Sequence, residues 1–343
     1  MGFSSSMMPW GELERRLSDG EVSRKRSAQP QDRPRGANGG DSPAWSRRRE
    51  PYQPPSSPPS PAPAAPVAPA GPAGPAGEVT RPRTNSNAAH RYAELHVHSA
   101  FSFLDGASTP EALVEEAVRR DLEALALTDH DGLYGIVRFA EAARAWGLPT
   151  VFGAELTLDL TRRQPGQPDP PEAHLVVLAR SPQGYARLAR AISHAHLAGG
   201  EKGQPRIGMA ELGELAEGQW CVLTGCRKGR VPAQLVADGP RAARRELDQL
   251  VATFGREHVR VELWDHGDPL DSHRNDALAQ LATHAGVDLV VSNNVHYATP
   301  ARRRLATAMA AVRSRRSLDE VDGWLPASAA AHIRSGAEQH RRF

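Results

Sequence analysis

From residue 92 to residue 296, short apolar runs alternate with stretches of helical periodicity, and the apolar runs end in histidines and carboxylates. This alternation constrains the fold more than any other feature of the chain. Strand–helix repetition sets consecutive strands side by side with helices as their crossovers. The strand-like runs fall at 93–97, 122–129, 150–158, 174–179, 220–224, 258–263 and 288–292. Helical patterns fill 110–120, 135–146, 182–197, 209–215, 231–237, 240–254 and 271–285. Thr109-Pro110-Glu111 opens the first of these with an N-cap threonine, a proline at the first helical position and an acid in the first turn. Gly147 and Pro149 stop the second. The pattern predicts an α/β fold with a parallel sheet, and about seven strand–helix units fit a closed or nearly closed barrel better than an open sheet.

The stretch AELHVHSAFSFLD sets two imidazoles, His96 and His98, at i and i+2 of the first strand. Side chains on a strand alternate faces, so both rings point the same way and can grip one cation or two adjacent ones. Asp105 follows just past the strand end. Further donors stand where later strands end or begin: Asp129 and His130, Glu155, His174, Cys226, His266, then Asn294 and His296. Taken singly, several have a plain structural reading. His174 and Cys221 read as core residues, His266 as a loop residue, and Asp129 as a partner that orients His130 from behind. Taken together, donors at successive strand ends are expected to converge, because parallel α/β folds gather their sites at one end of the sheet. Imidazoles with a thiolate suit zinc, while carboxylates and water also suit manganese or magnesium. A carboxylate such as Glu155 can bridge two ions, and ions about 3.5–4 Å apart can clamp both the attacking and the leaving oxygen of a phosphoester.

The first quarter of the chain is different. Residues 9–18, PWGELERRLS, could form one short amphipathic helix with Trp10, Leu13 and Leu17 on a face. From 21 to 91 the sequence is rich in Pro, Ala, Ser, Gly and Arg, and a run such as PPSSPPSPAPAAPVAPAGPAGPAG has almost nothing to bury. It reads as an extended, disordered linker. The formal net charge of +2 does not by itself imply nucleic acid. Two cysteines close in sequence, Cys221 and Cys226, do not make a disulfide framework and fit a reducing compartment. The N-terminus lacks the apolar core of a secretory signal, and no run is apolar enough to span a membrane, so the expected location is the cytoplasm.

The segments LHVHSAFSFLDGAS, ALALTDHDGLYGIVRFAEAA, PTVFGAEL, HLVVLARSPQGYARLARAIS, LTGCRKG and SNNVHYATPARRRLATAMAAVR resemble the PHP (polymerase and histidinol phosphatase) domain. More narrowly, they are similar to the N-terminal PHP domain of bacterial C-family error-prone DNA polymerases, relatives of the polymerase III alpha subunit. The resemblance covers 92–343. It implies a distorted seven-stranded β/α barrel preceded by a disordered Pro/Ala-rich tail, with a PHP domain over 92–299. Residues 300–343 would be a helical connection toward a polymerase palm absent from this sequence, making the chain a fragment. It also implies up to three divalent ions (Zn, Mn or Mg) held by His96, His98, Asp105, His130, Glu155, His174, Cys226, Asn294 and His296, with Asp129 behind them. The family normally carries Asp where this chain has Asn294, so the site lacks one negative charge and its hydrolysis is expected to be feeble. The implied partners are DNA, through the full-length polymerase, other translesion-synthesis proteins and the sliding clamp, with no membrane. A free-standing PHP phosphoesterase, a metal-stabilised scaffold without chemistry and an amidohydrolase-type barrel are the alternatives. The last fits Asp105, His130 and Cys226 poorly.

Overall fold

Seven strands form one sheet in sequence order: β1 (Ala93–Glu94), β2 (Ala124–Leu127), β3 (Thr150–Leu158), β4 (Ala173–Ala179), β5 (Trp220–Leu223), β6 (Val259–Leu263) and β7 (Asp288–Val291). The computed structural model describes residues 52–55, 90–158, 172–200, 203–321, 325–326 and 328–343. The proposed helix over 9–18 and nearly all of the Pro/Ala-rich run lie outside the described residues. The sheet curls until its edges meet. Val97, just past β1, forms a parallel bridge with Val295, just past β7. His98 N donates to Val295 O at 2.7 Å and Val295 N donates to His96 O at 2.8 Å. The barrel therefore closes between the two histidines of the HVH triplet.

The sheet is not uniformly parallel, which corrects the sequence expectation. β4 runs antiparallel to both β3 and β5, while the other neighbouring pairs are parallel. A helix follows β1 and β2, but β3 passes to β4 with no helix between them among the described residues. The reversal matters for the site, because His174 starts its strand and still lies at the same end of the barrel as the ends of the others.

Alternation along the strands sorts the side chains. Ala126, Val176, Leu178 and Leu223 form a small cluster with Leu95, Val151, Cys221 and Val290 packed on it, which is the barrel interior. The opposite faces carry Leu125 and Leu127 of β2 into a cluster with α1 (Pro110–Arg119) and α2 (Ile136–Trp146). Ala154, Leu156, Val177, Val222 and Val261 pack against α3 (Pro182–Gly199), α4 (Met209–Ala216), α6 (Pro240–Phe254) and α7 (Asp271–Ala285). Between α4 and α6, after β5, comes α5 (Arg230–Asp238). Strands buried on both faces have this near-continuous apolar character. The expected N-cap is present: Thr109 Oγ1 accepts from Ala112 N at 3.3 Å, with Pro110 at the first helical position.

Two segments outside the strand–helix alternation also pack on the barrel. Tyr52 donates to Glu115 Oε1 at 2.6 Å and accepts from Trp146 Nε1 at 2.8 Å, which ties a short piece of the Pro-rich region to α1 and α2. After α8 (Arg303–Ser314), residues 328–343, including α9 (Gly336–His340), lie against the seam. Asn293 Nδ2 donates to the Ala330 and His332 carbonyls, and Gln339 Nε2 donates to Ser292 O and Tyr92 Oη.

Candidate metal centre

Glu155 stands at the middle of the donor cluster. It lies on β3 opposite Val176, and His130 bridges to it from the end of β2. Its Oε1 is 3.6 Å from His96 Nε2, 3.3 Å from His174 Nδ1 and 4.0 Å from Cys226 Sγ. Its Oε2 is 3.4 Å from His98 Nε2 and 3.2 Å from His130 Nδ1. One carboxylate thus faces two sets of donors, one on each oxygen. Asp105 makes a second meeting point. Its Oδ2 is 3.3 Å from His130 Nε2 and 3.0 Å from His296 Nδ1, and its Oδ1 accepts from Arg313 Nη1 at 2.5 Å. Three groups of donors have the proximity a cation needs: His96, His98 and Glu155; His130, Glu155 and His174; and His98, Asp105 and His296.

The donor geometry fits divalent cations. His96 Nε2 and His98 Nε2 face each other at 3.1 Å, although each ring's Nδ1 is engaged elsewhere, with Glu262 Oε1 at 2.8 Å and Ser102 Oγ at 3.2 Å. Two lone pairs so placed need a shared proton or a cation between them. In a tetrahedral zinc site, neighbouring donors stand about 3.4 Å apart. The spacings of 3.1–3.6 Å among His96, His98 and Glu155 match that edge. Asn294 is buried, and its Oδ1 has no hydrogen-bond partner. Its backbone sits in the left-handed region at φ 40°, which asparagine tolerates better than most residues.

The protonation pattern follows from the anionic field of the cluster. Burial opposes charge on His96, His130 and His174, yet Glu262 and Glu155 together hold His96 well above its ordinary value, Glu155 raises His130, and Glu155 carries His174 to about 9. Burial likewise opposes ionisation of Glu155 and Asp105, but the surrounding imidazoles hold both carboxyls well below the usual range. His98 is pushed well below its ordinary value by burial and by the charge of His130. Burial, with Glu155 nearby, pushes the Cys226 thiol up to about 11. Protons occupy positions that divalent ions would take, and ions entering the cluster must release them.

The loops that deliver these donors are held by specific contacts. Asp129 accepts from Ser99 N, Ser99 Oγ and Ser102 Oγ, each at 2.7 Å. Ser102 Oγ in turn contacts His98 Nδ1 and accepts from His130 N at 3.1 Å. Asp129 therefore acts on the first-strand loop and reaches His98 through Ser102, rather than orienting the His130 ring directly. Cys226 is carried by the turn from Gly225 to Gly229. A Cβ on Gly229 would lie 1.9 Å from Thr224 O, so only glycine allows this close approach. His174 bridges to Gly229. His266 takes no part in the donor groups, and its Nε2 meets Asn293 O at 2.6 Å. Cys221 lies on β5 and, like Cys226, is a free thiol.

Three glutamates near the cluster were not singled out in the sequence. Glu262 is fully buried on β6 beside His96. Glu94, also fully buried, accepts from Asn293 N, His96 N and Tyr92 Oη across the seam, and burial lifts its carboxyl to about 7. Glu172 Oε1 stands 3.8 Å from His174 Nε2. The signal for Glu262 was legible: in VRVEL the apolar Val259, Val261 and Leu263 take one face and leave an acid on the other.

Fold and cluster together define an α/β barrel whose metal-type donors gather at one rim. Residues 94–266 match the PHP domain, and the chain belongs to that family. It is 51% identical over 349 residues to the error-prone DNA polymerase of Mycobacterium bovis, an alignment covering 100% of this chain and 28% of that protein. It is 58% identical over 266 residues to the protein of the same name from Mycolicibacterium paratuberculosis, covering 77% of this chain and 24% of the relative. The Nocardia farcinica error-prone DNA polymerase is 44% identical, covering 100% of this chain and 31% of that protein. The chain thus spans less than a third of the length of these curated relatives.

Proposed function

We propose that the chain is the PHP-domain portion of an error-prone DNA polymerase, a nucleotidyltransferase that copies past lesions during DNA repair and replication. The observation that carries this reading is the alignment of the whole chain, at 51% identity, with a protein of that name. In this reading 92–299 is the PHP domain, and 300–343 leads toward the polymerase palm. DNA is met through the whole polymerase, and the sliding clamp and other translesion-synthesis proteins are its further partners. The cluster holds up to three divalent ions, with zinc, manganese and magnesium all compatible with its donors.

Such ions would lower the pKa of a bound water and polarise a phosphoryl oxygen. The chain's own residues set the conditions. Glu155 presents one oxygen to each of two donor sets, and His96, His98, His130, His174 and His296 supply nitrogen ligands. Asp105, Cys226 and Asn294 complete the proposed set. Asn294 supplies only a neutral oxygen, so the cluster carries one charge fewer than an aspartate would give and hydrolysis is slow. Arg313 holds the outer oxygen of Asp105 and lies partly exposed at the rim, where its remaining donors can meet a phosphate.

The test has two arms. Reading the gene in frame past codon 343 is expected to reveal a polymerase palm, and an immediate stop codon would contradict the polymerase reading. The metal-loaded chain is then given single-stranded DNA or a small phosphomonoester. Slow release of 3′ nucleotides is expected, whereas preferential cleavage of the monoester would favour a free-standing phosphatase.

A further inference from the structure

Among the buried acids that touch the cluster, Glu262 has the least explained position. It is 0% exposed on β6, and its Oε1 lies 2.8 Å from His96 Nδ1, on a ring that is also 0% exposed. The same oxygen accepts from Ser292 Oγ. Its other oxygen, Oε2, is buried with no hydrogen-bond partner. A buried carboxyl with one unpartnered oxygen is costly in this setting unless its other contacts give it a use. It is not in any of the three groups of converging donors, so it meets the cluster through His96.

We infer that Glu262 is a positioning residue for the metal centre: it takes the Nδ1–H of His96, fixes the tautomer that aims the Nε2 lone pair at the cluster, and adds negative charge behind that ligand. This rests on the reading of the cluster as a cation site. The geometry supports it from both sides of the ring. With Nδ1 committed to Glu262, Nε2 faces His98 Nε2 at 3.1 Å and Glu155 Oε1 at 3.6 Å. A carboxylate hydrogen-bonded to the far nitrogen of a ligating histidine raises that ligand's basicity and orients its ring. The companion histidine has only a hydroxyl there, Ser102 Oγ on His98 Nδ1. The two histidines of one triplet are thus unequal, and His96 is the stronger donor. The charge matters more here because Asn294 brings none.

The alternative role for Glu262 is mechanical, a pin between β6 and the β7 end through Ser292. Metal titration of the chelator-stripped chain separates the two. Glu262→Gln is expected to weaken the ion held by His96 about 10- to 100-fold while other ions are retained. Its metal-free melting temperature should not fall. Ser292→Ala, which cuts the bond between β6 and the β7 end together with the long contact from Asn294 N and leaves the His96 contact, should keep the wild-type affinity. Nitrogen-15 NMR of the zinc-loaded wild type needs no variant to fold, and it should show His96 protonated at Nδ1. Equal affinity in wild type and Glu262→Gln, parallel losses in both variants, or a His96 ring protonated at Nε2 would each overturn the inference. A wild-type chain that takes up no ion would instead overturn the metal reading beneath it.

Discussion

In the proposed centre, Asn294 offers a neutral amide where an aspartate would add a negative charge. Its positive φ suits Asp nearly as well as Asn, so Asn294→Asp should be accepted without strain. The added carboxylate is expected to slow metal loss during dialysis against chelator and to raise phosphodiester hydrolysis. Unchanged values for both would show that this position lies outside the working site. Proton traffic gives a second check. In the metal-free chain, burial opposes the charged form of His174, but Glu155 carries its pKa from 6.5 to about 9. Below about pH 9 the ring holds a proton that an entering ion must displace, so apparent metal affinity should rise with pH and level off near 9. The sign is opposite for the metal-free fold. There the His174–Glu155 pair stabilises fully below about 6.5, and that contribution is lost as pH rises through about 9. Calorimetry of zinc binding in buffers of different ionisation enthalpy reads the released protons directly, and a binding heat independent of buffer would contradict the account.

Among the elements, the β5–α5 turn carries a tight steric demand beside the site. Gly229→Ala puts a Cβ 1.9 Å from Thr224 O, and relieving that clash moves the turn bearing Cys226 and the backbone partner of His174. A loss of about 1–3 kcal/mol in denaturant unfolding is expected, together with weaker metal uptake. A variant with wild-type stability would mean the turn relaxes freely. The same elements show how much of the molecule was legible in the sequence. Strand and helix positions followed from apolar periodicity, because each element buries one regular face. β1 proved shorter than its apolar run, since backbone groups beyond Glu94 serve the seam to Val295 instead of a continuous ladder. Strand direction was not legible. The reversal at β4 depends on what joins β3 to β4, and the Pro-rich stretch there gives no periodicity to read. His174 was nevertheless recognised as a donor, although it begins a strand and the rule about strand ends would have excluded it in a parallel sheet. Glu94 was missed because its partner across the seam, Asn293, lies far away in sequence, and Glu262 was passed over although the VRVEL alternation sets it opposite its apolar neighbours.

For the whole molecule, the barrel closes where the site is built. The Val97–Val295 bridge lies between His96 and His98 on one edge and between Asn294 and His296 on the other. Ions that draw these residues together would also hold the seam, so metal binding and folding should be linked. At a free metal concentration 100 times the dissociation constant, one such ion stabilises the fold by about 2.7 kcal/mol. Chelation should therefore lower the melting temperature, and zinc or manganese should restore it. A melting curve indifferent to both would separate the seam from the ions. The central claim is that donors scattered from His96 to His296 jointly hold cations, and an anomalous difference map from crystals grown with zinc and measured at the zinc edge tests it most directly. The account predicts peaks among His96, His98 and Glu155, among His130, Glu155 and His174, and beside Asp105 and His296. A map with no peak at these donors, or with zinc bound only elsewhere on the chain, would contradict it.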